Sequence, residues 1–461
     1  MVESDPRVDR RGLRSSVASS VLVDGPRLRR ISQLAVPMIA SALVTNLMTV
    51  ADTLMIGQLG DAALGGVGLA GQLFFLLLAV ALGLSAAVQA MVARRVGEGL
   101  TASTGLLLNA GLVIGVLLGL LLVLIGYVAL PPVMALINDD PEVIGRGWSY
   151  LSARLPSLAF IALNLVFRAY WVGVSLAKWA MVSIVTLSLA NVLFNYLLIF
   201  GNFGAPRMGV TGAGLGSTLA VLVGTLLNIA FAVRLVANNG FLRGLPAKSQ
   251  ALSMVRIAYP ESLRQVLFSL GVVCIYVLVG QIGTQQLAAF HVVISICLIA
   301  YLPHIGFGAA ATTLVGEALG RKQRLDAQTW GWQVSSVGLV TLLVVALGVA
   351  GFPTKVLGWF LLDEATLVLA VVPLQLAVFA HAFDGYGKVV GSALVGAGAT
   401  KTAMWLTVLP QWGLLLPLLA ISVSLGNGLA HAMGVVLMVA MVSALLFVWV
   451  WHAGRWGGVE V

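Results

Sequence analysis

Three carboxylates, Asp52, Glu261 and Asp384, sit well inside long apolar stretches of a 461-residue chain that is 60% hydrophobic and only 9% charged. A charge at the centre of a bilayer costs about 2.5–3.5 kcal/mol even on insertion scales, so each of these acids needs a compensating role. Asp52 has no Lys or Arg within one helical turn. Withdrawal from water favours the protonated form of a carboxyl, and such a group can exchange a proton near neutral pH. The alternative is structural: an Asp kept protonated by hydrogen bonds to Asn191 or Asn195. These asparagines are four apart, hence on one helical face, where both amides can meet one partner or simply hold helices together.

Asp384 has Lys388 four residues on, the spacing of an ion pair within one helix. The pair is either self-satisfied structure or part of a ligand-lining wall. Glu261, with Arg264 three residues on, reads as structural. Arg154 and Arg168 have no acidic partner in sequence reach, so they snorkel or line a cavity. His291, His304 and His381 fall in or beside apolar stretches, and no two have the i, i+4 spacing of a metal site. Cys274 and Cys297 read as small buried hydrophobes. Neither a metal nor a cofactor is expected. No Ser-His pair, HExxH helix or paired acids offers an enzyme's constellation, and no selectivity filter or charge ring offers a channel. The net charge of +9 makes no nucleic-acid surface, because the basic residues fall between apolar runs.

Twelve apolar runs position these groups, near 31–57, 67–93, 103–130, 146–174, 178–200, 211–236, 253–279, 286–314, 330–352, 365–396, 402–424 and 428–452. Each reaches the roughly 20 residues that a span needs. With a mean hydropathy of +1.03, the expected fold is an all-α integral membrane protein. The chain is also written twice, at an offset of 223 residues. Pro37 matches Pro260, Gly57-Gln58-Leu59-Gly60 matches Gly280-Gln281-Ile282-Gly283, and Gly97 matches Gly320. Six spans per repeat make the repeats parallel, related by an axis along the membrane normal, and two such lobes enclose a central pathway as in many secondary transporters. Nineteen Lys and Arg lie on the face that holds both termini against three on the other, which puts both termini in the cytoplasm of a cell with an inner membrane. The organisation is then a basic cytoplasmic tail at 1–30, a six-helix lobe at 31–236, a cytoplasmic linker at 237–252, a second six-helix lobe at 253–452 and a short tail at 453–461. A chain that holds both lobes can act as a monomer. Prolines at 37, 156, 260, 303, 373, 410 and 417 can kink spans and free carbonyls.

The first run, from Pro37 to Asp52-Thr53 and on to Gly57-Gln58-Leu59-Gly60, resembles the first helix of the multidrug and toxic compound extrusion (MATE) family. Asn191-Val-Leu-Phe-Asn195-Tyr-Leu-Leu-Ile-Phe-Gly201 looks like that family's fifth-helix signature, and the glycine-rich stretch from Gly209 to Ser217 like the start of its sixth helix. Phe383-Asp384 and the segment from Gly391 to Gly398 resemble the tenth helix and the loop after it. The likeness runs from about residue 30 to 450. It implies an antiporter that expels organic cations and amphipathic drugs in exchange for H⁺ or Na⁺. The DinF-like branch looks closer than the NorM or eukaryotic branches, which carry a seventh-helix glutamate where this chain has Phe268. Many DinF-like sequences also have an aspartate in place of Asn195.

The resemblance and the residues together make Asp52, Asn191 and Asn195 the cation-coupling candidates, and Asp384, Ser217, Lys388 and Arg168 the substrate-cavity candidates. One coupling carboxylate without a second favours H⁺, while Asp52 with two amide oxygens also makes a hard-oxygen site for Na⁺. A flippase for a lipid-linked precursor would share the fold. It would need several Arg or Lys residues for phosphate, and only Arg154, Arg168 and Lys388 qualify.

Overall fold

The computed structural model describes residues 23–360, 363–454 and 456, and every regular element among them is helical. In chain order these are α1 (Gly25–Gly57), α2 (Asp61–Gly97), α3 (Thr104–Ile137), α4 (Pro141–Arg154), α5 (Ser157–Gly173), α6 (Ala177–Phe200), α7 (Gly209–Leu235), α8 (Lys248–Gly280), α9 (Thr284–Ala300), α10 (Pro303–Gly320), α11 (Arg324–Gly351), α12 (Pro353–Leu357), α13 (Glu364–Gly396), α14 (Thr400–Pro410), α15 (Leu416–Ser424) and α16 (Leu429–Ala453). Ten spans are long and apolar enough to cross a membrane. The count reaches twelve when α4–α5 and α9–α10, bent by 51° and 42°, each make one broken span. The expected number of spans is therefore present, in a multi-pass membrane protein.

Helix starts repeat with the sequence offset. Gly25 and Lys248, Asp61 and Thr284, Pro141 and Glu364, and Ala177 and Thr400 all stand 223 residues apart. The halves differ where proline intervenes. Pro156 breaks α4 from α5, while its counterpart Phe379 lies in the unbroken α13. Pro303 starts α10, while its counterpart Val80 lies in the unbroken α2. A proline removes one backbone donor and clashes with the carbonyl four residues back, so these breaks follow from single residues. Of the other prolines, 37, 260, 373 and 410 are accommodated inside helices. Pro410 and Pro417 flank a π-helical turn at Gln411–Leu415. The basic segment expected as a tail to residue 30 is helical from Gly25: Asp24 caps it, accepting from the Arg27 backbone N–H at 2.9 Å, with Pro26 in the first turn. Its first 22 residues lie outside the described ones.

Helices α1–α7 form one lobe and α8–α16 the other. One buried apolar cluster is shared between them. It joins Leu34 and Met38 of α1 and Val88 and Val92 of α2 to Ala310 and Leu314 of α10 and Val389 of α13. Two further clusters are private, one around Phe74, Leu122 and Tyr150 in the first lobe and one around Phe290, Leu374 and Met433 in the second. The shared core lies toward the face with both termini, and the private cores toward the opposite face. The lobes are thus packed together at the terminal face and separate away from it.

Repeat-related pairs build this interface. Helix α2 packs on α8 as α10 packs on α1, and α2 crosses α10 between them. At the crossing Gly97 and Gly320 meet. A Cβ on Gly97 would fall 2.0 Å from the Glu317 carbonyl oxygen, and one on Gly320 would fall 2.1 Å from that of Arg94. Only glycine permits so close a backbone approach. An ionic cluster surrounds the crossing. Glu317, 1% exposed, receives Arg30 from α1, the Ser175 hydroxyl at 2.7 Å, and Arg321 at 3.7 Å. Ser175 holds a left-handed backbone (φ 60°) in the turn between α5 and α6, which aims its hydroxyl across the interface. Asp326 takes Arg27 at 2.7 Å and Arg321 at 3.3 Å, and Arg27 also stacks on Trp330 at 4.6 Å. Gln89 of α2 donates to the Ala309 carbonyl at 2.8 Å and to Thr313 at 3.0 Å.

Overpacking a tight contact costs about 1–3 kcal/mol. Gly97→Ala and Gly320→Ala are each expected to lower the melting temperature in detergent by several degrees, whereas Gly68→Ala, at an open position, leaves it unchanged or slightly higher. Glu317→Gln removes the buried carboxylate that joins both lobes. Spin labels at Thr101 and Leu325 are expected to show a longer, broader distance distribution in that variant by double electron–electron resonance, and an unchanged distribution would show that the cluster does not hold this face closed.

Candidate functional site

The first lobe brings Asp52 of α1 to Asn191 and Asn195 of α6, with Ser217 of α7 behind them. The one-helical-turn spacing of the asparagines puts both amides against one carboxylate. Asn195 Nδ2 donates to Asp52 Oδ1 at 2.8 Å. The backbone of Gly216 lies so close to Asn195 that a Cβ there would stand 2.3 Å from its side-chain oxygen. The glycine-rich start of α7 is what lets α6 and α7 come together at this depth. Asn195 is 1% exposed, and its Oδ1 has no hydrogen-bond partner among the described residues.

Asn191 can face Asp52 with either end of its amide. Nitrogen first, it donates to Asp52 Oδ1 at 2.7 Å and Oδ2 at 3.2 Å, and its oxygen accepts from the Ser217 hydroxyl at 3.1 Å. Oxygen first, it presents an acceptor to the carboxyl, and its nitrogen donates to Ser217 Oγ at 3.1 Å. Ser217, a substrate-cavity candidate in the sequence, is thus a hydrogen-bond partner of Asn191. It is 5% exposed and sits behind Asn191, where a hydroxyl can serve as donor or acceptor.

Arg154, expected to be without an acidic neighbour, is close enough to Asp52 for the two charges to interact. It ends α4 at the proline break, with its guanidinium on the rings of Phe74 (4.6 Å) and Tyr150 (5.4 Å), and its buried Nε is unpartnered among the described residues. It makes no ion-pair contact with Asp52. About a hundred residues separate the two in sequence, so only tertiary packing reveals them as neighbours. Arg168, on α5, makes no ion pair among the described residues and joins neither polar group.

The second lobe carries its own constellation. Lys388 Nζ lies 3.1 Å from Asp384 Oδ2, the same oxygen that accepts from Tyr301 Oη at 2.9 Å. His304 stacks on Tyr301 at 3.6 Å, and His381 meets the same ring edge-on at 5.6 Å. The Lys388 ammonium rests 3.7 Å from the centre of Phe268, the ring that stands at the glutamate position of the NorM pattern. Of the four substrate-cavity candidates, Asp384 and Lys388 line a cavity of about 240 Å³ within this lobe, while Arg168 and Ser217 lie outside its lining. Glu261 is 3% exposed and held by Arg264 and by Gln265 at 3.2 Å, the structural pairing that its sequence neighbours foretold.

Sequence reasoning missed Glu317, because it sits at the end of a run rather than well inside one. The repeat contains the missing signal. Arg94 and Glu98 occupy the positions that match Glu317 and Arg321, so the two halves carry opposite charges where they cross. A second omission is a polar seam in the first lobe. Asn164 of α5 donates to Thr225 of α7 at 2.6 Å, and Asn228 donates to Asn164 and accepts from Trp171 and Ser183, each at 2.9 Å. Such asparagines join helices where lipid offers no hydrogen bonds.

The family model named MatE matches the chain twice, over residues 37–197 and 260–421, with starts at the two repeat-related prolines. The chain is 31% identical over 409 residues to a probable multidrug resistance protein NorM of a Synechococcus species, which covers 84% of this chain and 85% of that one. It is 28% identical to a protein of the same description from Pseudomonas aeruginosa, over 85% of this chain and 82% of that one. Among solved structures it resembles a multidrug resistance MATE family transporter of the MOP superfamily in an outward-facing conformation (TM-score 0.85, 20% identity, covering 92% and 96% of the two chains). A MOP superfamily transporter from Pyrococcus furiosus is similarly close (TM-score 0.84, 22% identity, covering 92% and 94%). These families are transporters and not enzymes, and with a family model covering both halves this chain belongs to the multidrug and toxic compound extrusion (MatE) family.

Proposed function

We propose that the protein exports organic cations and amphipathic drugs in exchange for H⁺, with Asp52 as the group that carries the coupling proton. The observation that carries this reading is the Asp52–Asn191–Ser217 chain, whose middle member can serve either protonation state of the acid. With Asp52 ionised, Asn191 and Asn195 both donate to it. With Asp52 protonated, the carboxyl donates to Asn191 Oδ1, the Asn191 amide turns over, and the Ser217 hydroxyl changes from donor to acceptor. Protonation thus changes how α1, α6 and α7 bind one another. A drug that binds better to one arrangement is released by the other, and the exchange follows from one coupling free energy between the two ligands.

The charge balance favours H⁺ over a metal cation. Arg154 offsets the Asp52 charge, which weakens attraction for a hydrated cation, whereas a proton binds covalently to the carboxyl. The unpartnered oxygen of Asn195 favours a second reading, in which Na⁺ is held by Asp52 and that oxygen. Placement in the DinF-like branch rests on Phe268, which stands where the NorM pattern has its seventh-helix glutamate, although the named relatives carry the NorM description. The protein works as a monomer in the inner membrane with both termini cytoplasmic, so the separated halves of the lobes face outward.

In proteoliposomes loaded with an ethidium-type cation, an imposed pH gradient alone is expected to drive dye movement in the wild type. Asp52→Asn is expected to abolish it, and Ser217→Ala to slow it several-fold. Movement driven by a Na⁺ gradient alone would replace H⁺ with Na⁺. An absence of gradient-driven movement of any cationic drug would favour the flippase. For topology, a cysteine-free variant carrying one cysteine at Asp139 is expected to react with an impermeant maleimide on intact cells, and one carrying it at Lys248 only after lysis.

A further inference from the structure

We infer that the cavity of the second lobe is a binding site for aromatic ampholytes, molecules with a carboxylate and an ammonium group close together on an aromatic body. The cavity is walled largely by carbon, with the rings of Phe268, Tyr276, Phe290 and Phe447 around it. Its one charged feature is the Asp384–Lys388 pair, and both members line the same space. Nearby, Glu261 is neutralised by Arg264, so the wall offers one positive and one negative point side by side.

That pairing decides the ligand class. A simple cation at Asp384, whether at its second oxygen Oδ1 or in place of Lys388, adds a positive charge with no matching anion to a largely apolar wall, which is unfavourable. A simple anion at Lys388 adds an unmatched negative charge in the same way. An ampholyte replaces the internal ion pair with two external ones, its carboxylate on Lys388 and its ammonium on Asp384, and no charge is left unpaired. Tyr301 keeps its hydrogen bond to Asp384 throughout, and the aromatic body lies among the rings, where shape and dispersion hold it. Gln411, on the π-helical turn, also lines the cavity, with its Nε2 donating to the Phe268 carbonyl at 3.1 Å.

As a statement about what is exported, this inference rests on the transport reading above; as a statement about binding, it requires neither a gradient nor Asp52. Four fluorescent probes of nearly one shape separate the charge types. These are Nε-dansyl-lysine (zwitterion), its methyl ester (cation), its Nα-acetyl form (anion) and the Nα-acetyl methyl ester (neutral). Titrated into the purified full chain in detergent, the zwitterion is expected to bind about tenfold more tightly than the ester or the acetylated form. Lys388→Gln is expected to raise the ester to parity with the zwitterion, and Asp384→Asn to do the same for the acetylated form. Lys388→Arg keeps the preference, and Asp384→Asn combined with Lys388→Gln makes all four probes alike. Asp52→Asn leaves the wild-type order intact even if it abolishes transport, so failure of proton coupling and failure of this site read differently. Wild-type protein that binds the ester as tightly as the zwitterion, or that saturates with none of the probes, overturns the inference.

Discussion

Two glycine backbones in van der Waals contact set the geometry of the whole molecule. Gly97 and Gly320 lie where the repeat-related spans α2 and α10 cross, and neither site has room for a side chain. Because the two residues are equivalent by the repeat, the crossing lies on the pseudo-two-fold axis, and each lobe docks on the other through the same pair of surfaces. The shared core stacks away from this point along α1, α2, α8 and α10. Away from the terminal face each lobe packs on itself. A transporter that rocks its lobes needs one face that closes tightly and another that does not, and the distribution of apolar clusters supplies that asymmetry.

Symmetry governs the backbone but not the chemistry. Each polar group of the two constellations stands opposite an apolar residue in the other repeat. Asp52 corresponds to Ile275, Asn191 to Leu414, Asn195 to Leu418, Asp384 to Ile161 and Lys388 to Leu165. The lobes therefore hold different sites: in the first, a carboxylate read by amides, and in the second, a neutralised ion pair on an aromatic wall. On the proposed reading, dividing the tasks in this way would let a proton and a bulky ligand bind at separate places and still oppose each other through the packing that connects the lobes.

Much of this was legible in the sequence because the features concerned are periodic or local. The spans follow from run length, and the repeat from glycines and prolines at one offset. The Asn191–Asn195 face and the Asp384–Lys388 pair follow from helical spacing alone. Asp52 stood out because an isolated acid in lipid is costly. What remained hidden depended on contacts between distant segments. Arg154 comes near Asp52 only after α4 is broken from α5 and folded against α2 and α7. Glu317 gains Arg30 and Ser175 from two distant stretches of chain. Ser217 looked like a cavity residue because α7 carries no sign of which face turns inward. The expected tail up to residue 30 became helix because Asp24 caps it, a one-residue signal inside a strongly basic stretch.

The nature of the terminal-face closure bears on how such a protein can cycle. A closure made only of apolar contacts would lose its full burial energy when the lobes part, since that surface would then meet water. Closure by ions behaves differently. Arg27 and Arg321 are about one-third exposed and Arg30 is 43% exposed, so these guanidiniums keep much of their hydration in the closed form. Exposed pairs of this kind contribute little net stability. Glu317 is the exception, because it is buried and depends on its partners while the face is closed. Opening the face would admit water to Glu317 at the moment its bonds to Arg30 and Ser175 are lost, and hydration would offset much of that loss. The closed and open forms can then lie within a few kcal/mol of each other, the range in which a single ligand-binding event is enough to shift the balance. A latch built on a buried carboxylate and half-hydrated arginines is specific in geometry yet shallow in energy, and the proposed exchange driven by an ion gradient would require both.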